Sequence, residues 1–245
     1  MVRRMSIWGK LVGAAAGMAI GGPIGALIGG FAGHLTYDRG RSSSAPVEPE
    51  EDVAFTIGVI ALGAKMAKAD GVVTKDEVDA FKEVFVITPE DMSSVSKVFN
   101  LAKRDVAGYE AYAGQLANLF KEKPEALEDV LDGLFHIAKA DNVVHETELA
   151  FLHSVAGIFG FSDDDFERIR ARHVAPEKTD PYVVLGIDRT ASKDEIKRVY
   201  RGLVRDNHPD KLIARGVPAD AVEIANRKVA AINAAYDQIE RERGF

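Results

Sequence analysis

The sequence contains no cysteine in a chain of 245 residues. Disulfide bonds, thiolate zinc sites, iron–sulfur clusters and cysteine nucleophiles are therefore excluded, and a reducing compartment is permitted. The alternating pattern of a β-strand is also missing, since the apolar residues of the long periodic segments recur at helical spacing. Because 47% of the residues are hydrophobic, the chain can bury a core in one or two domains. We expect an all-α protein.

The formal net charge of −7 is distributed unevenly along the chain. Residues 1–41 hold five Lys/Arg and one Asp/Glu, residues 42–179 hold 14 and 26, and residues 180–245 hold 12 and 11. We infer three parts with different partners. No nucleic-acid partner is expected, because the chain is acidic and its basic residues are not interleaved with aromatic ones.

Charge is absent over the 23 residues from Leu11 to Gly33. As a helix, this segment would extend about 35 Å, enough to cross a hydrocarbon core of about 30 Å. Glycine recurs there at every fourth position: Gly9, Gly13, Gly17, Gly21, Gly25, Gly29 and Gly33. On a helix, these glycines form a face without side chains, which lets two helices pack closely in lipid. The pattern predicts a transmembrane helix that forms a homodimer; the alternative is a flexible segment in water, interrupted by Pro23.

The acidic, proline-containing stretch SSSAPVEPEED separates this anchor from the rest of the chain. A second connection, rich in polar residues and prolines, precedes the C-terminal part. We predict an anchor, a linker, a helical domain, a second linker and a C-terminal domain, at residues 1–41, 42–52, 53–173, 174–181 and 182–245.

Two acidic loops in the middle part repeat each other. AKADGVVTKDE (67–77) and AKADNVVHETE (138–148) match at seven of eleven positions, and each is typical of one helix ending and the next beginning. If the loops meet across a pseudo-twofold axis, four acids form a site for a hard divalent cation: Asp70, Glu77, Asp141 and Glu148. As cap and turn residues, the same acids need no metal. An EF-hand is excluded because valines replace its oxygen ligands, and no cofactor is required.

The repeated loops and the helical periodicity over residues 53–173 resemble the TerB-like helical domain. The resemblance implies a helical bundle with an interaction or sensing role. Pro124 is placed at the first turn of one helix, and Ser162 with Asp165 is typical of the start of another. The predicted helices are residues 53–69, 75–86, 90–106, 109–122, 125–140, 146–159 and 163–172.

The C-terminal part is predicted to form a short helix, a longer helix, a loop and a third helix at about 218–242. The longer helix starts at Ser192, with Glu195 three residues on to complete a capping box. One face of this helix is apolar, and the other carries basic residues four apart: Lys193, Lys197, Arg201 and Arg205. Like charges at this spacing repel each other, so we infer that the stripe meets an acidic partner.

The loop VRDNHPDKL places His208 and Asp210 on either side of Pro209. A catalytic pair or a metal site would need a nucleophile, a third ligand or a phosphate cradle, and the surrounding sequence offers none. We therefore predict that the protein is not an enzyme and that the loop binds a partner.

These motifs, together with DPY at 180–182 and INAAY at 232–236, resemble the J-domain of DnaJ-type co-chaperones over residues 180–242. The resemblance implies that the HPD loop engages a DnaK-class chaperone and stimulates its ATPase. It implies these partner-binding residues: His208, Pro209, Asp210, Lys211, Tyr200, Lys197, Arg201 and Arg205. The chain departs from many members at Gly202, Asn207 and Val229.

The order of a Gly-rich span, a TerB-like domain and a C-terminal J-domain resembles the DjlA group of membrane-anchored bacterial co-chaperones. A DnaK-class partner is cytosolic, so residues 42–245 are expected in the cytoplasm, held by a single span in the inner membrane. The expected function is recruitment of that chaperone and stimulation of its ATP hydrolysis. The alternative is a TerB-like protein at the membrane that senses a cation or a partner and uses the J-domain as its output.

Overall fold

The computed structural model describes residues 21–28, 51–69, 79–80, 82, 84–85, 87, 92–104, 108–140, 144–174, 178–218 and 221–245. Ten helices are named below: α1 Glu51–Ala69, α2 Met92–Arg104, α3 Tyr109–Leu119, α4 Pro124–Ala138, α5 Glu146–Phe159, α6 Asp163–Ala171, α7 Pro181–Leu185, α8 Lys193–Asp206, α9 Pro209–Ala214 and α10 Val222–Arg243. No β-strand occurs among these described residues, and the expectation of an all-α protein is confirmed.

Helices α1 to α6 form a bundle, which we call the central bundle. Its central element is α1, whose side chains are buried on every side from Val53 to Ala67. This burial agrees with a sequence that is apolar around the whole helix rather than along one stripe. Gly58 lets α1 approach α3 closely, because a Cβ atom at this position would lie 2.6 Å from the Leu116 side chain.

Two helices of the central bundle begin at the residues that the sequence predicts. Pro124 is the first residue of α4, where its missing N–H leaves no helical hydrogen bond unmade. At α6, Ser162 Oγ accepts a hydrogen bond from the Asp165 N–H at 3.2 Å, and Asp165 Oδ2 accepts one from the Ser162 N–H at 3.2 Å. This reciprocal pair is the predicted capping box.

Helices α7, α8 and α10 pack around a second core, and with α9 they form what we call the C-terminal unit. The second core is centred on Ile196 of α8 and on Ile232 and Ile239 of α10. The rings of Tyr200 and Tyr236 stack with centroids 4.0 Å apart and close one side of it. The amphipathic pattern of α8 predicts this packing, with the apolar side inward and the basic side outward.

The C-terminal unit also contributes to the core of the central bundle. Five of its apolar residues, from α9 to the start of α10, are buried in that first core: Leu212, Val217, Ala221, Ile224 and Ala225. The two units are therefore packed against each other through α4, α9 and α10. Sequence periodicity does not predict this contact, because these residues are consistent with burial within a single domain.

Residues 22–28 form a short helix within the predicted membrane segment. Ile24, Leu27 and Ile28 are buried against the central bundle. Gln115 of α3 accepts a hydrogen bond from the Ile24 N–H and donates one to the Gly21 carbonyl, each at 2.9 Å.

The Gly21 backbone has a φ of +60° in the left-handed region, which differs from the continuous helix expected there. Within the described residues, no helix has both the length and the hydropathy needed to cross a membrane. Five predicted membrane-packing glycines lie outside the described residues: Gly9, Gly13, Gly17, Gly29 and Gly33.

Candidate functional site

The basic stripe predicted on α8 faces solvent. Ser192 caps the helix, its Oγ accepting a hydrogen bond from the Glu195 N–H at 3.2 Å, so the register of the stripe is fixed from the first turn. Arg201 and Arg205 are exposed, and Lys197 is partly exposed. The three side chains are thus available on one surface, as the spacing predicts.

Several contacts offset the repulsion between these cations. The Phe245 ring centroid lies 5.0 Å from Lys193 Nζ and 5.7 Å from Lys197 Nζ, within the range of a cation–π interaction. Arg205 Nε donates to Asp206 Oδ1 at 2.9 Å. The Arg205–Asp206 pair is exposed, so its contribution to stability is small, and the surface remains positively charged around Arg201.

Tyr200 links α8 to α10 rather than standing free on the surface. Its hydroxyl donates to Asn233 Oδ1 at 3.0 Å, and its ring is stacked on Tyr236. Tyr200 therefore supports the packing of the two helices, and a partner can reach only its exposed part.

The HPD segment begins helix α9, so the expectation of a plain loop is wrong for residues Pro209–Ala214. His208 is the N-cap, and its Nδ1 accepts a hydrogen bond from the Asp210 N–H at 3.3 Å. Pro209 is the first helical residue, where its fixed φ suits the turn. A histidine followed by proline was the available signal for this helix start.

The His208 and Asp210 side chains of the HPD turn project into solvent. The His208 side chain is 61% exposed and the Asp210 side chain is 88% exposed, with His208 Nδ1 and Asp210 Oδ2 3.7 Å apart. Lys211 is also exposed. A rigid turn with exposed donors and acceptors is suited to binding a partner surface, and an active-site base would instead lie in a pocket.

Both ends of the HPD turn are anchored. Asn207 is buried and donates from Nδ2 to the Leu203 carbonyl at 2.8 Å. On the other side, Leu212 is buried in the core of the central bundle. Arg215 donates to the Asp206 carbonyl and approaches Asp129 Oδ2 to 3.6 Å. The turn is therefore held by both units of the fold.

A buried ionic cluster joins the two units beside this turn. Lys228 of α10 lies 2.8 Å from Glu128, 3.0 Å from Asp129 and 3.2 Å from Asp132, and its side chain is 2% exposed. Arg172 bridges Glu128 at 2.8 Å and Asp132 at 3.3 Å. Within the described part of the chain, Asp129 Oδ2 makes no hydrogen bond.

Burial and neighbouring charges set opposite pKa shifts for two of these acids. Burial raises the pKa of Asp129 to about 6, although Lys228 opposes the shift. Burial also disfavours ionised Asp132, but Arg172 and Lys228 outweigh it and lower the pKa of Asp132 to about 2. Burial lowers the pKa of His173, so the neutral ring is suited to donate from Nε2 to Asp132 Oδ1 at 2.8 Å.

The sequence does not reveal this cluster. The signal in the sequence is the spacing of Glu128, Asp129 and Asp132, which places three acids close together on a helix that is otherwise mostly apolar. No local pattern connects that face to Lys228, because the partners are about a hundred residues apart along the chain.

Of the four acids in the repeated loops, the structure describes only Glu148. Asp70, Glu77 and Asp141 lie outside the described residues. Glu148 is buried near the start of α5, where its Oε2 accepts a hydrogen bond from the His145 N–H at 2.9 Å. Its carboxylate therefore acts as a helix cap, which agrees with the predicted cap and turn role of these acids. Across the part of the chain that the structure describes, no group of three or more His, Asp or Glu residues is placed to hold a metal ion.

Three family models match successive parts of the chain. Residues 5–44 match the co-chaperone DjlA transmembrane domain, residues 56–171 match the tellurite resistance protein TerB, and residues 180–243 match the DnaJ domain. The central bundle is therefore a TerB-like domain, and the C-terminal unit is a J-domain. The match at the N terminus indicates membrane anchoring.

Similar proteins align over nearly the whole chain. The co-chaperone protein DjlA of Photobacterium profundum is 30% identical over 98% of this chain and 100% of its own length. The corresponding proteins of Vibrio cholerae, 30% identical over 98% and 100%, and of Coxiella burnetii, 31% identical over 97% and 98%, are similar as well. No solved structure is significantly similar to the chain. Matching domains in the same order, over full-length relatives, place this chain in the DjlA co-chaperone family.

Proposed function

We propose that this protein is a membrane-anchored co-chaperone whose J-domain recruits a DnaK-class chaperone and stimulates its ATP hydrolysis. The protein performs no chemistry of its own in this role. The observation that carries the proposal is the capped, solvent-exposed HPD turn beside the basic surface of α8.

The geometry of the turn supports recruitment by direct contact. His208 and Asp210 are held at the start of a helix, so few backbone conformations are lost when a partner binds. Beside them, Lys197, Arg201 and Arg205 provide a positive surface. A partner with a negative surface would be guided to the turn by these charges, and this guidance weakens as salt screens them.

The location of the DnaK-class partner indicates on which side of the membrane the two domains lie. A DnaK-class chaperone is cytosolic, so the TerB-like domain and the J-domain lie on the cytoplasmic side of a bacterial inner membrane. We propose a single span within residues 1–41, joined to these domains by the acidic linker. Spanning requires Ile24, Leu27 and Ile28 to leave the core of the TerB-like domain, where they are buried in the structure. The anchor keeps the J-domain at the membrane surface, where the recruited chaperone acts.

The test is the steady-state ATPase rate of a DnaK-class chaperone, measured with and without the full chain reconstituted in phospholipid vesicles. We expect a higher rate of phosphate release with the reconstituted chain than with empty vesicles. An unchanged rate over a range of chain concentrations that saturates binding would refute the proposal.

Cation sensing by the TerB-like domain is a separate prediction. The paired acidic loops motivate it, and the hydrogen bond from the His145 amide to Glu148 gives that acid a structural role without a metal. Calorimetric titration of the reconstituted chain with calcium and with magnesium tests it. Absence of binding heat would leave the four acids as cap and turn residues.

A further inference from the structure

We propose that the acidic face of α4 is a docking site for the J-domain, and that the docked TerB-like domain positions the HPD turn through Leu212 and Arg215. The functional consequence rests on the co-chaperone role proposed above. Docking itself is a property of this chain and can be measured without a chaperone. The acidic face is defined here as Glu128, Asp129 and Asp132.

Apolar contacts drive the docking. Leu212 and Val217 flank the end of α9, and each is 1% exposed in the core of the TerB-like domain. Ile224 reaches α4 directly, because a Cβ atom built on Gly133 would lie 3.3 Å from Ile224 Cδ1. A separated J-domain would expose these side chains to water, which is unfavourable in proportion to the apolar area released.

Buried charges fix the orientation of the docked domains. The ammonium of Lys228 lies within 3.2 Å of all three acids, and Arg172 supplies a second cation from the TerB-like side. A buried ion-pair cluster adds little net stability, but a wrong orientation would leave several charges buried without partners. The acidic face therefore accepts α10 in one register.

Contacts of Leu212 and Arg215 with the TerB-like domain restrain the HPD turn in this orientation. Leu212 is only two residues after Asp210, so its burial in the TerB-like domain restrains the first turn of α9. Arg215 binds the Asp206 carbonyl at the end of α8 and approaches Asp129 of the acidic face at 3.6 Å. The HPD turn is thus enclosed between two attachment points.

The docked arrangement leaves the partner-binding surface open. His208 and Asp210 remain mostly exposed, and Arg201 and Arg205 are exposed as well. A DnaK-class chaperone can therefore bind while the domains are docked. We infer that docking presents the turn to the partner and does not mask it.

A steric wedge at Gly133 tests the docking. Gly133→Leu inserts a side chain against Ile224 and also against Val84 and Val59 within the TerB-like domain. Gly114→Leu is a control in the same domain, since nothing lies within 4 Å of a Cβ atom at Gly114. Amide hydrogen exchange of residues 209–216 is measured on the full chain in vesicles. We expect Gly133→Leu to raise exchange there at least about tenfold and Gly114→Leu to leave it unchanged. Equal exchange in the two variants would overturn the proposal.

A second variant acts from the other side of the interface. Lys228→Met removes the cation that faces the three acids and keeps an apolar side chain of similar length. Faster exchange at residues 209–216, with α8 still protected, supports docking even if the wedge variant fails to fold. Unchanged exchange in Lys228→Met contradicts it.

The chaperone assay then separates the two proposals. We expect both interface variants to need a higher concentration for half-maximal ATPase stimulation than the Gly114→Leu chain. Stimulation equal to that of the unmodified chain would refute positioning of the HPD turn. If the unmodified chain itself gives no stimulation, the co-chaperone role fails, and the exchange comparison still decides whether the J-domain docks.

Discussion

Lys228 Nζ and Asp129 Oδ1 lie 3.0 Å apart, although the two residues are separated by 99 positions in the chain. Both are buried, and they belong to the J-domain and the TerB-like domain respectively. Burial lowers the pKa of Lys228, but Asp129, Glu128 and Asp132 together raise it above its ordinary value. The ammonium is therefore charged at neutral pH, and so the interface contains a fixed cation.

Lys228→Met should destabilise the folded chain by about 3–5 kcal/mol, because it leaves three buried carboxylates with one cation fewer. Urea unfolding of the detergent-solubilised chain, followed by far-UV circular dichroism, measures the change. Lys178→Met is the control; Lys178 is exposed, and this change should stay within about 0.5 kcal/mol. Equal stability of the two variants would mean that Lys228 is not buried among the acids.

The free energy of unfolding of Asp129→Asn should increase, relative to that of the unmodified chain, as pH rises. The folded pKa of Asp129 is about 6 and its ordinary value is 3.8, so between about pH 4 and 6 the folded chain holds the proton more tightly. Stability conferred by the protonated group is therefore lost as pH rises through this window. The difference in unfolding free energy should shift by up to about 3 kcal/mol toward the variant.

Asp132→Asn, on the same helix, should show the opposite pH dependence to Asp129→Asn. The folded pKa of Asp132 is about 2, so its ionised form adds stability that is present above about pH 4 and lost as pH falls toward 2. We expect Asp132→Asn to be destabilising at pH 7, where Asp129→Asn costs much less. Unfolding curves from pH 3 to 8 with the same pH dependence for Asp129→Asn and the unmodified chain would contradict the assignment.

Local sequence rules predicted the long helices and several of their starts, because these depend on residues only a few positions apart, but they missed the short helix α9. At α6 the predicted capping box of Ser162 and Asp165 is complete, and at α8 the Ser192 side chain accepts a hydrogen bond from the Glu195 N–H. The ionic cluster could not be predicted in this way. An acid on α4 gives the same local pattern whether it faces water or Lys228, and only tertiary packing decides between them.

The membrane segment illustrates a second limit. Ile24, Leu27 and Ile28 satisfy the hydropathy of a lipid-facing helix, and the structure buries them against the TerB-like domain. Hydropathy measures the cost of exposure to water, and lipid and a protein groove both remove that cost. Sequence alone therefore does not separate the two environments.

His208→Gln should abolish stimulation of the DnaK-class ATPase while leaving the fold intact. The His208 side chain is 61% exposed and lies outside both cores, so the substitution removes a contact surface and, at most, one helix cap. Thr190→Ala is a matched control: it removes an exposed bond to Asp188 in the same domain and should keep full stimulation. Full stimulation by His208→Gln would refute the role of the HPD turn.

Lys197→Glu combined with Arg201→Glu should weaken chaperone binding most at low salt. Their charges act through solvent, and screening shortens that reach to about 10 Å at 0.1 M ionic strength. The control is Lys121→Glu with Lys178→Glu, which changes the net charge equally at exposed sites outside α8. Binding measured from low to high salt should show the two double variants converging. A loss of binding that does not vary with salt would indicate misfolding.

Self-association through the membrane segment is the remaining prediction. On a continuous helix, which the Gly21 backbone interrupts in the structure, glycines at every fourth position from Gly9 to Gly33 would leave a face without side chains, and two such faces would permit close backbone contact in lipid. Gly13→Leu with Gly17→Leu should abolish the dimer and preserve insertion, since leucine is favourable in the bilayer. This pair avoids Gly21, whose φ of +60° would strain any other residue.

The matched control is Ala15→Leu with Ala19→Leu, which adds two leucines about 200° around the same predicted helix from the glycine positions. Because the chain has no cysteine, a single Ser6→Cys substitution before the span makes a disulfide-linked dimer directly measurable in vesicles. The alanine control should give as much dimer as the unmodified span, and the glycine variant should give almost none. Equal dimer in both variants, or monomer in all three chains, would show that the glycine face is not a helix–helix interface.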